Sequence, residues 1–444
     1  MLRLAYFSPL NPRRSGISDY SEELLPHLAR EAEIDLFVEG FKPSNPELTG
    51  QFRWFDYRAE HDALSRLGTY NAVIYHLGND HRYHAGIYDA ARAFPGIVVL
   101  HDFALHTFFL GLAQARENIN IYLDELEACH GAQVRSQVEE LLRRGRTSPA
   151  QEQAVLFPLN QRIARNAEAL IVHSEWSRSR LAAITPAVPI AKINHHVLPE
   201  DTRPRSPSAQ EEQRQGRIEI ASFGHITTEK GIERILRVLA SLAQSFDFHY
   251  TLVGQPDGFD VSASVKAYGL SGRVTVTGHV SMEEFKERIK ACDIAVNLRE
   301  RTVGETSGSV CRVMAAGVPA IVSNIGWFAE LPAEAVLKVD LGENADAMLR
   351  AALHKLMDDA PLRAQLGINA RRFVANEFAI EKSAESYLTF IRDVVTKRTR
   401  RRFIRKVATE MSLMGIQPAD ADLLRSVSGE IARLMPTTLL ESKG

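Results

Sequence analysis

The sequence predicts an α/β protein made of two doubly wound, Rossmann-like domains in tandem, and three observations carry the prediction. Short apolar, β-branched runs alternate with helical patterns along most of the chain, which implies parallel sheets covered on both faces. The alternation breaks at the polar stretch PEDTRPRSPSAQEEQRQG, 199–216, and then starts afresh. At 298–323, LRERTVGETSGSVCRVMAAGVPAIVS, a loop of small residues stands between a strand and a helix, an arrangement suited to holding an anion. At 444 residues the chain is also too long for one ordinary core.

The elements follow in order. Residues 2–8 read as a buried strand stopped by Pro9, and NPRRSGISDY as a loop with Gly16 at its tip and Ser18 capping a helix from about Asp19. A strand, a Gly-containing loop and a helix make a Rossmann-type opening, although the G-x-G-x-x-G dinucleotide fingerprint is absent. Pro26 is expected to kink that helix. Further strands are predicted at 33–38, 71–77, 96–101, 169–173 and 190–195, with helices at 105–114, 121–144 and 151–166. Beyond 199–216, taken as the interdomain linker, strands are predicted at 217–223, 248–253, 273–277, 293–298 and 318–323, with helices at 232–244 and from Ser281. Ser281 and Glu284 stand at capping-box spacing. Residues 344–395 read as helical and lead into KRTRRRFIRK at 397–406, seven basic residues in ten, and a mildly amphipathic tail. The predicted organisation is therefore a domain over 1–198, the linker, a second domain over 217–378, a crossover helix over 379–396 and a basic helical tail over 397–444.

A net charge of −2 offers no chain-wide field for nucleic acid. Cys129, Cys292 and Cys311 show no C-x-x-C spacing, which suits a reducing compartment. MLRLAYFSPL lacks the apolar core of a signal peptide and no stretch is long enough to span a bilayer, so the expected location is the cytoplasm.

The loop at 304–309 has two readings. Thr306, Ser307, Gly308 and Ser309 let backbone N–H groups approach a phosphate at a helix N-terminus, or they merely cap that helix. Its neighbours bear on the choice. FGHITTEKGIERIL at 223–236, TVTGHVSMEEF at 275–285, CDIAVNLRE at 292–300, GETSGSVCRVMAAGVPAIVS at 304–323 and RFVANEFAIEKSAESY at 372–387 together resemble the retaining GT-B glycosyltransferases of family 4, the group 1 glycosyltransferases. They run in that family's order and spacing over about half the chain. SPLNPRRSGISDY, VVLHDF and ALIVHSEW give a weaker match in the first half.

The resemblance implies two Rossmann-like domains facing across a cleft, with a nucleotide-diphosphate sugar held chiefly by the second and an acceptor entering from the first. Lys230 falls on the family's phosphate-binding lysine, and His225 stands where arginine is often found. Lysine at a helix start opposes the dipole, which favours a functional reason for it. The family has two glutamates eight residues apart here; Glu305 lies one place late for the first, which contacts the donor sugar, and Arg312 replaces the second, which holds the ribose. His101 matches the histidine beside the transferred sugar, while Asp102 reads as a helix cap. Gly16 would admit the diphosphate, and Asp19 or Tyr20 could face the acceptor or simply start a helix.

His76, His81, His84 and His106 show no ligand spacing and are expected at the surface or in the cleft, and D-x-D occurs only at Asp420–Asp422. A metal-free site without a cofactor is therefore expected. Closure about 199–216 is expected to exclude water. The basic run at 397–406 is either a solvated face or a contact for anionic membrane lipid. The function expected is transfer of a hexose from a nucleotide-diphosphate sugar to a hydroxyl of a glycan or lipid-linked saccharide. Two alternatives are a nucleotide-sugar 2-epimerase of the same architecture and a non-catalytic scaffold.

Overall fold

A computed structural model describes residues 1–60, 62–145, 154–199, 216–414, 416 and 420–434. The chain divides into two compact units, Met1–Tyr387 and Leu388–Gly444. The first unit contains both predicted sheets, each wholly parallel: seven strands in the order β3-β2-β1-β4-β5-β6-β7, and six in the order β10-β9-β8-β11-β12-β13.

In the first sheet β1 (Leu2–Phe7) is followed by α1 (Gly16–Leu28), β2 (Ala32–Val38), α2 (Pro46–Gln51), β3 (Arg53–Asp56), β4 (Ala72–Leu77), α3 (His81–Ala93) and β5 (Ile97–Leu100). Three helices, α4 (His106–Ala115), α5 (Asn120–His130) and α6 (Ala132–Arg143), then precede α7 (Gln161–Asn166), β6 (Ala169–Val172), α8 (Glu175–Ile184) and β7 (Ile190–Lys192). Every residue of β4, β5 and β6 is buried, which is why these strands read as unbroken apolar runs. Leu4 lies beside both Ile34 and Ala72, so the carboxyl ends of β1, β2 and β4 fall within two residues of one another. The loops that follow them therefore share one edge.

The second sheet begins with β8 (Ile218–Phe223) and α9 (Ile232–Leu242), then β9 (Phe248–Val253), α10 (Val261–Ala267), β10 (Val274–Val276), α11 (Met282–Lys290) and β11 (Ile294–Asn297). It closes with α12 (Gly308–Ala315), β12 (Ala320–Ser323), β13 (Val336–Val339), α13 (Ala345–Asp358) and α14 (Ala360–Glu377). The apolar stripe Ile232, Ile235, Leu236, Leu239 and Leu242 of α9 packs on β8 and β9 at i, i+3, i+4 spacing. Helix α15 (Ile380–Leu413) runs without a break through both the predicted crossover helix and the start of the basic tail, and α16 (Ala421–Leu434) follows.

Several expectations are corrected. Ser15, not Ser18, caps α1, accepting from Ile17 N at 3.2 Å; Ser18 Oγ instead donates to Arg13 O at 2.6 Å. The predicted helix 121–144 is two helices, because Gly131 adopts φ +88° between them. Of the predicted helix 151–166 only Gln161–Asn166 forms; 154–160 is a turn and loop, and 151–153 lie outside the described residues. Edge strands β3, RWFD, and β13, VLKV, escaped notice because one is held by charge and both are short: Arg53 reaches Asp35 at 2.9 and 3.0 Å. Ser281 does cap α11, accepting from Glu284 N at 3.1 Å. All but the ends of the predicted linker lies outside the described residues.

Backbones meet most closely where α14 crosses the turn before β12. A Cβ on Gly367 would lie 2.0 Å from Gly317 O. Gly367→Ala is expected to destabilise the protein by about 1–3 kcal/mol through overpacking, read as a lower urea midpoint with an unchanged m-value.

Candidate active site

The carboxyl end of β8 leads into Gly224, at φ +92°, and a single 3-10 turn over Thr228–Lys230 before α9. This turn folds the Lys230 side chain back over the end of its own strand. Its ammonium donates to Phe223 O at 3.1 Å. A Cβ on Gly224 would stand 2.8 Å from Lys230 Nζ and 3.9 Å from Ser309 Oγ, so the lysine and the first turn of α12 converge on one glycine. Among the described residues no carboxylate pairs with Lys230. Burial, with the nearby Arg299 guanidinium, pulls its pKa well below the ordinary lysine value, and Glu305 opposes the shift. An ammonium at a helix N-terminus, where N–H groups also point outward, is a site waiting for an anion.

The loop between β11 and α12 is braced from within. Glu305 accepts from Arg299 Nε at 2.8 Å, Thr302 Oγ1 at 2.9 Å and Val303 N at 3.0 Å. Three of its roughly four acceptor positions are thus filled by the loop itself. Its first task is to fix the loop, and any contact with a donor sugar uses what remains. Ser307 caps α12, accepting from Val310 N at 3.3 Å and bonding Ser309 Oγ at 3.0 Å, so the helix starts one residue before the expected Ser309. The capping reading of this loop therefore holds for Ser307, while the N–H groups of Gly308 and Ser309 belong to the unsatisfied first turn. Both readings are physically compatible.

The same loop presses against the first half. Gly304, at φ +80°, lies where a Cβ would be 2.3 Å from Phe103 Cβ and 2.7 Å from the Trp176 ring. Val303 O accepts from Ala104 N at 2.8 Å and Gly304 O from Ser177 Oγ at 3.3 Å. Glu330 accepts from Glu175 N at 3.0 Å and Trp176 N at 2.6 Å, at the start of α8.

From the first half, His101 follows β5 and its Nε2 lies 3.0 Å from His76 Nδ1. Burial and the surrounding histidines, His173 foremost, keep its pKa well below the usual imidazole range, so the ring is neutral at pH 7. Asp102 does not cap a helix as expected; Leu105 occupies the N-cap of α4, and the Asp102 carboxylate instead accepts from Asn79 N at 2.8 Å. Burial, reinforced by the charge of Glu305, raises its pKa to about 7.

Tyr20 is a correction. It is buried, its hydroxyl bonds Tyr387 at 2.9 Å, and the rings of His101, His195 and His196 pack round it at 4.3–5.0 Å, so its side chain faces no acceptor. Asp19 is half-buried, 3.4 Å from Asn11 Nδ2, with its pKa raised by burial against the pull of Arg312. Gly16 opens α1, and a Cβ there would meet nothing within 4 Å, so the protein's own packing does not demand a glycine. His225 is exposed beside Lys230, and partial desolvation of its ring together with that cation lowers its pKa. His76, His84 and His106 are buried, against the expectation of surface or cleft positions. His84 bonds His76 O at 3.1 Å, and His106 bonds Tyr122 Oη at 2.9 Å. Among the described residues no group of three or more His, Cys, Asp or Glu is arranged to hold a metal ion.

Sequence reasoning missed what Arg312 does. It is buried one turn into α12 and forms an ion pair with Glu23 of α1, whose other oxygen lies 3.5 Å from His196 Nε2. Burial alone would raise the Glu23 carboxyl, but Arg312 and His196 hold it at about 2. The signal was an arginine in an otherwise apolar helix, VCRVMAA, which demands a buried partner.

Asp102 generates a pH prediction. Its folded pKa lies above its unfolded value near 4, so the folded state holds the extra proton between about pH 4 and 7 and stability falls as pH rises through that window. Three pKa units correspond to at most about 4 kcal/mol. In urea titrations across pH 4–8, Asp102→Asn should gain stability on the wild type as pH rises; a constant difference would contradict the shift.

The sequence profile described as "Glycosyl transferases group 1" matches residues 206–373. Among curated relatives, the 2-deoxystreptamine glucosyltransferase of Streptomyces kanamyceticus is 28% identical over 181 residues, 40% of this chain and 46% of the relative. The match thus spans about half the relative's length. Among solved structures, the sucrose-phosphate synthase of Thermosynechococcus elongatus superposes with TM-score 0.64 at 18% identity, covering 89% of this chain and 99% of that one. The Anabaena protein HepE in complex with UDP and glucose gives TM-score 0.60 at 15% identity, over 88% and 100%. The two parallel sheets have the GT-B fold of these structures. The chain therefore has the GT-B fold, and its second half carries the group 1 glycosyltransferase sequence pattern.

Proposed function

We propose that the protein transfers a hexose from a nucleotide-diphosphate sugar to a hydroxyl of a glycan or lipid-linked saccharide, with retention at the anomeric carbon, in the making of a polysaccharide or glycolipid. The observation that carries this reading is the Lys230 ammonium, uncompensated by any carboxylate among the described residues and set against the first turn of α12. A diphosphate is the ligand such a place favours, and the UDP and glucose bound by the structurally similar HepE support the same choice.

The chemistry follows from where charge develops. As the bond from the anomeric carbon to the diphosphate breaks, its electron pair passes to a phosphate oxygen. Lys230 and the N–H groups of Gly308 and Ser309 stabilise that oxygen, with His225 at the rim. In a same-face displacement the acceptor hydroxyl adds to the carbon and gives its proton to the departing phosphate. Glu305 and His101 orient the sugar, and neutral His101 can donate or accept a hydrogen bond without placing a charge beside the developing cation. Lys230 and the amides supply the positive charge, so we assign no requirement for a divalent cation or other cofactor.

Acceptors tied to lipid also give the basic run 397–406 a purpose. Phe403 and Ile404 lie exposed in α15 between its cationic residues, and no described helix is long and apolar enough to cross a membrane. We infer peripheral contact with anionic lipid on the cytoplasmic side, each Lys or Arg near the surface contributing about 1 kcal/mol. The protein should co-sediment with phosphatidylserine vesicles at low salt and not at high salt; equal binding to neutral vesicles would overturn this.

The donor reading is tested by thermal shift against UDP, GDP, ADP and their sugars, with and without Mg²⁺. A ligand at a hundred times its Kd adds about 2.7 kcal/mol of apparent stability. One nucleotide is expected to raise the Tm independently of Mg²⁺, and Lys230→Ala to abolish the rise. Silence from every nucleotide would refute the transferase reading.

A further inference from the structure

The first turn of α12 has two flanks. Ser309 faces Lys230 across Gly224, and Gly308 faces His195, which the loop after β7 carries in from the first sheet. A Cβ on Gly308 would stand 3.1 Å from His195 Nε2 and 3.3 Å from its Cε1, closer than side chains normally pack. Gly308 has no positive φ, so the ring, not the backbone, denies this position a side chain. His195 is 8% exposed, and the edge that bears Nε2 is turned to the helix.

One bond sets the tautomer of this ring. His195 Nδ1 lies 2.8 Å from His196 O, and a carbonyl can only accept, so Nδ1 carries the hydrogen and the neutral ring keeps a bare lone pair on Nε2. Among the described residues Nε2 makes no hydrogen bond. His101 and His173 face the ring from beyond β5 and β6, His196 from its own loop, Tyr20 and Glu23 from α1 and Arg312 from α12. Burial first, then His196, His173 and Arg312, hold its pKa well below the usual imidazole range, so the ring is neutral in the empty protein; Glu23 pulls the other way. A bare lone pair cannot sit against a phosphate oxygen, which also presents only lone pairs. An anion that reaches this flank therefore needs Nε2 protonated.

We propose that His195 binds the donor's diphosphate through Nε2 as an imidazolium, so that donor binding takes up one proton from solution. This rests on the transferase reading and extends the anion site from one flank of α12 to both: one phosphoryl group lies at Lys230 and Ser309, the other at His195 beside Gly308. The positive end of the helix and Arg312 make the imidazolium costly while the site is empty, and the charge of the ligand reverses that balance. As the bond to the anomeric carbon breaks, the diphosphate gains a further negative charge, which the same imidazolium stabilises.

The test is isothermal titration calorimetry of the full chain with UDP-glucose, GDP-mannose and ADP-glucose, in buffers of high and low ionisation enthalpy across pH 6–8. These ligands have no phosphate that titrates in that range, so a proton taken up is bound by the protein. His195→Asn keeps a donor for His196 O and deletes Nε2, whereas His195→Gln sets a neutral amide near the place of Nε2. With one nucleotide sugar the wild type is expected to take up protons and to bind at least about fivefold more weakly at pH 8 than at pH 6, a full proton being worth up to about tenfold per pH unit. Both variants are expected to lose about one proton of that uptake, and His195→Asn to lose most affinity at the acid end, where the imidazolium forms most readily. No proton uptake by the wild type would overturn the proposal and leave the transferase reading standing. So would uptake unchanged in both variants, even with binding weakened by one factor at every pH, since that is the mark of a merely structural ring. If no nucleotide sugar binds the wild type, the transferase reading falls and takes the proposal with it.

Discussion

The structure depends on how closely the β11–α12 loop is pressed against the first half of the chain. Gly304 has no room for a side chain between Phe103 and Trp176, and the flanking carbonyls of Val303 and Gly304 are engaged by Ala104 and Ser177. Glu305 fixes the loop from its own side through Arg299, Thr302 and Val303. Because α12 starts directly after this loop, its N-terminus inherits a fixed aim. The proposed anion site, a helix end and one lysine, is only as selective as the relation between them, and that relation is set here by backbone contact rather than by long side chains.

A second tie lies deeper. Arg312 and Glu23 join α12 to α1, so the two helices that open at the cleft are coupled through a buried ion pair. Breaking one partner of such a pair leaves an uncompensated charge and costs more than the pair contributes. The tie is reinforced where the chain returns from the second half: Val197 N donates to Phe378 O at 2.8 Å, Asn194 Nδ2 to Glu377 O at 3.0 Å, and Tyr20 meets Tyr387. Tyr20 thus serves as the hub of an aromatic cluster that includes His101, rather than as a contact for substrate. The Tyr20 hydroxyl finds its partner 367 residues away.

What was legible in the sequence follows from these distances. The central strands announced themselves because burial on both faces enforces apolar runs, and the Ser281 cap because it is local. Edge strands β3 and β13 are half-exposed and carry charge, so their sequences have no such run. Glu305 could be placed in the loop but not oriented, since its partners are set by the loop's own closure. The fate of Arg312, Tyr20 and the histidines depends on chain segments far apart in sequence, which no periodicity encodes. His76, His84 and His106 lie in the core of the first half because one nitrogen of each ring bonds a neighbouring carbonyl, hydroxyl or imidazole, and a neutral ring tolerates burial.

The neutrality of those rings decides the sign of the cleft. With His76, His101, His173 and His195 all held uncharged by burial, the field near the β8 turn comes from Lys230 and Arg299 against Glu305 and Asp102. Arg299 is committed to Glu305, and Asp102 carries its proton at pH values below about 7. What remains uncompensated is Lys230. A cation kept at a desolvated place without an acid partner weakens the empty protein, and an anionic ligand removes that strain on arrival. The same desolvation that lowers the lysine's pKa would strengthen its attraction for the proposed diphosphate, because both are consequences of the low local dielectric. Ligand affinity and the instability of the empty site are therefore one quantity seen from two sides.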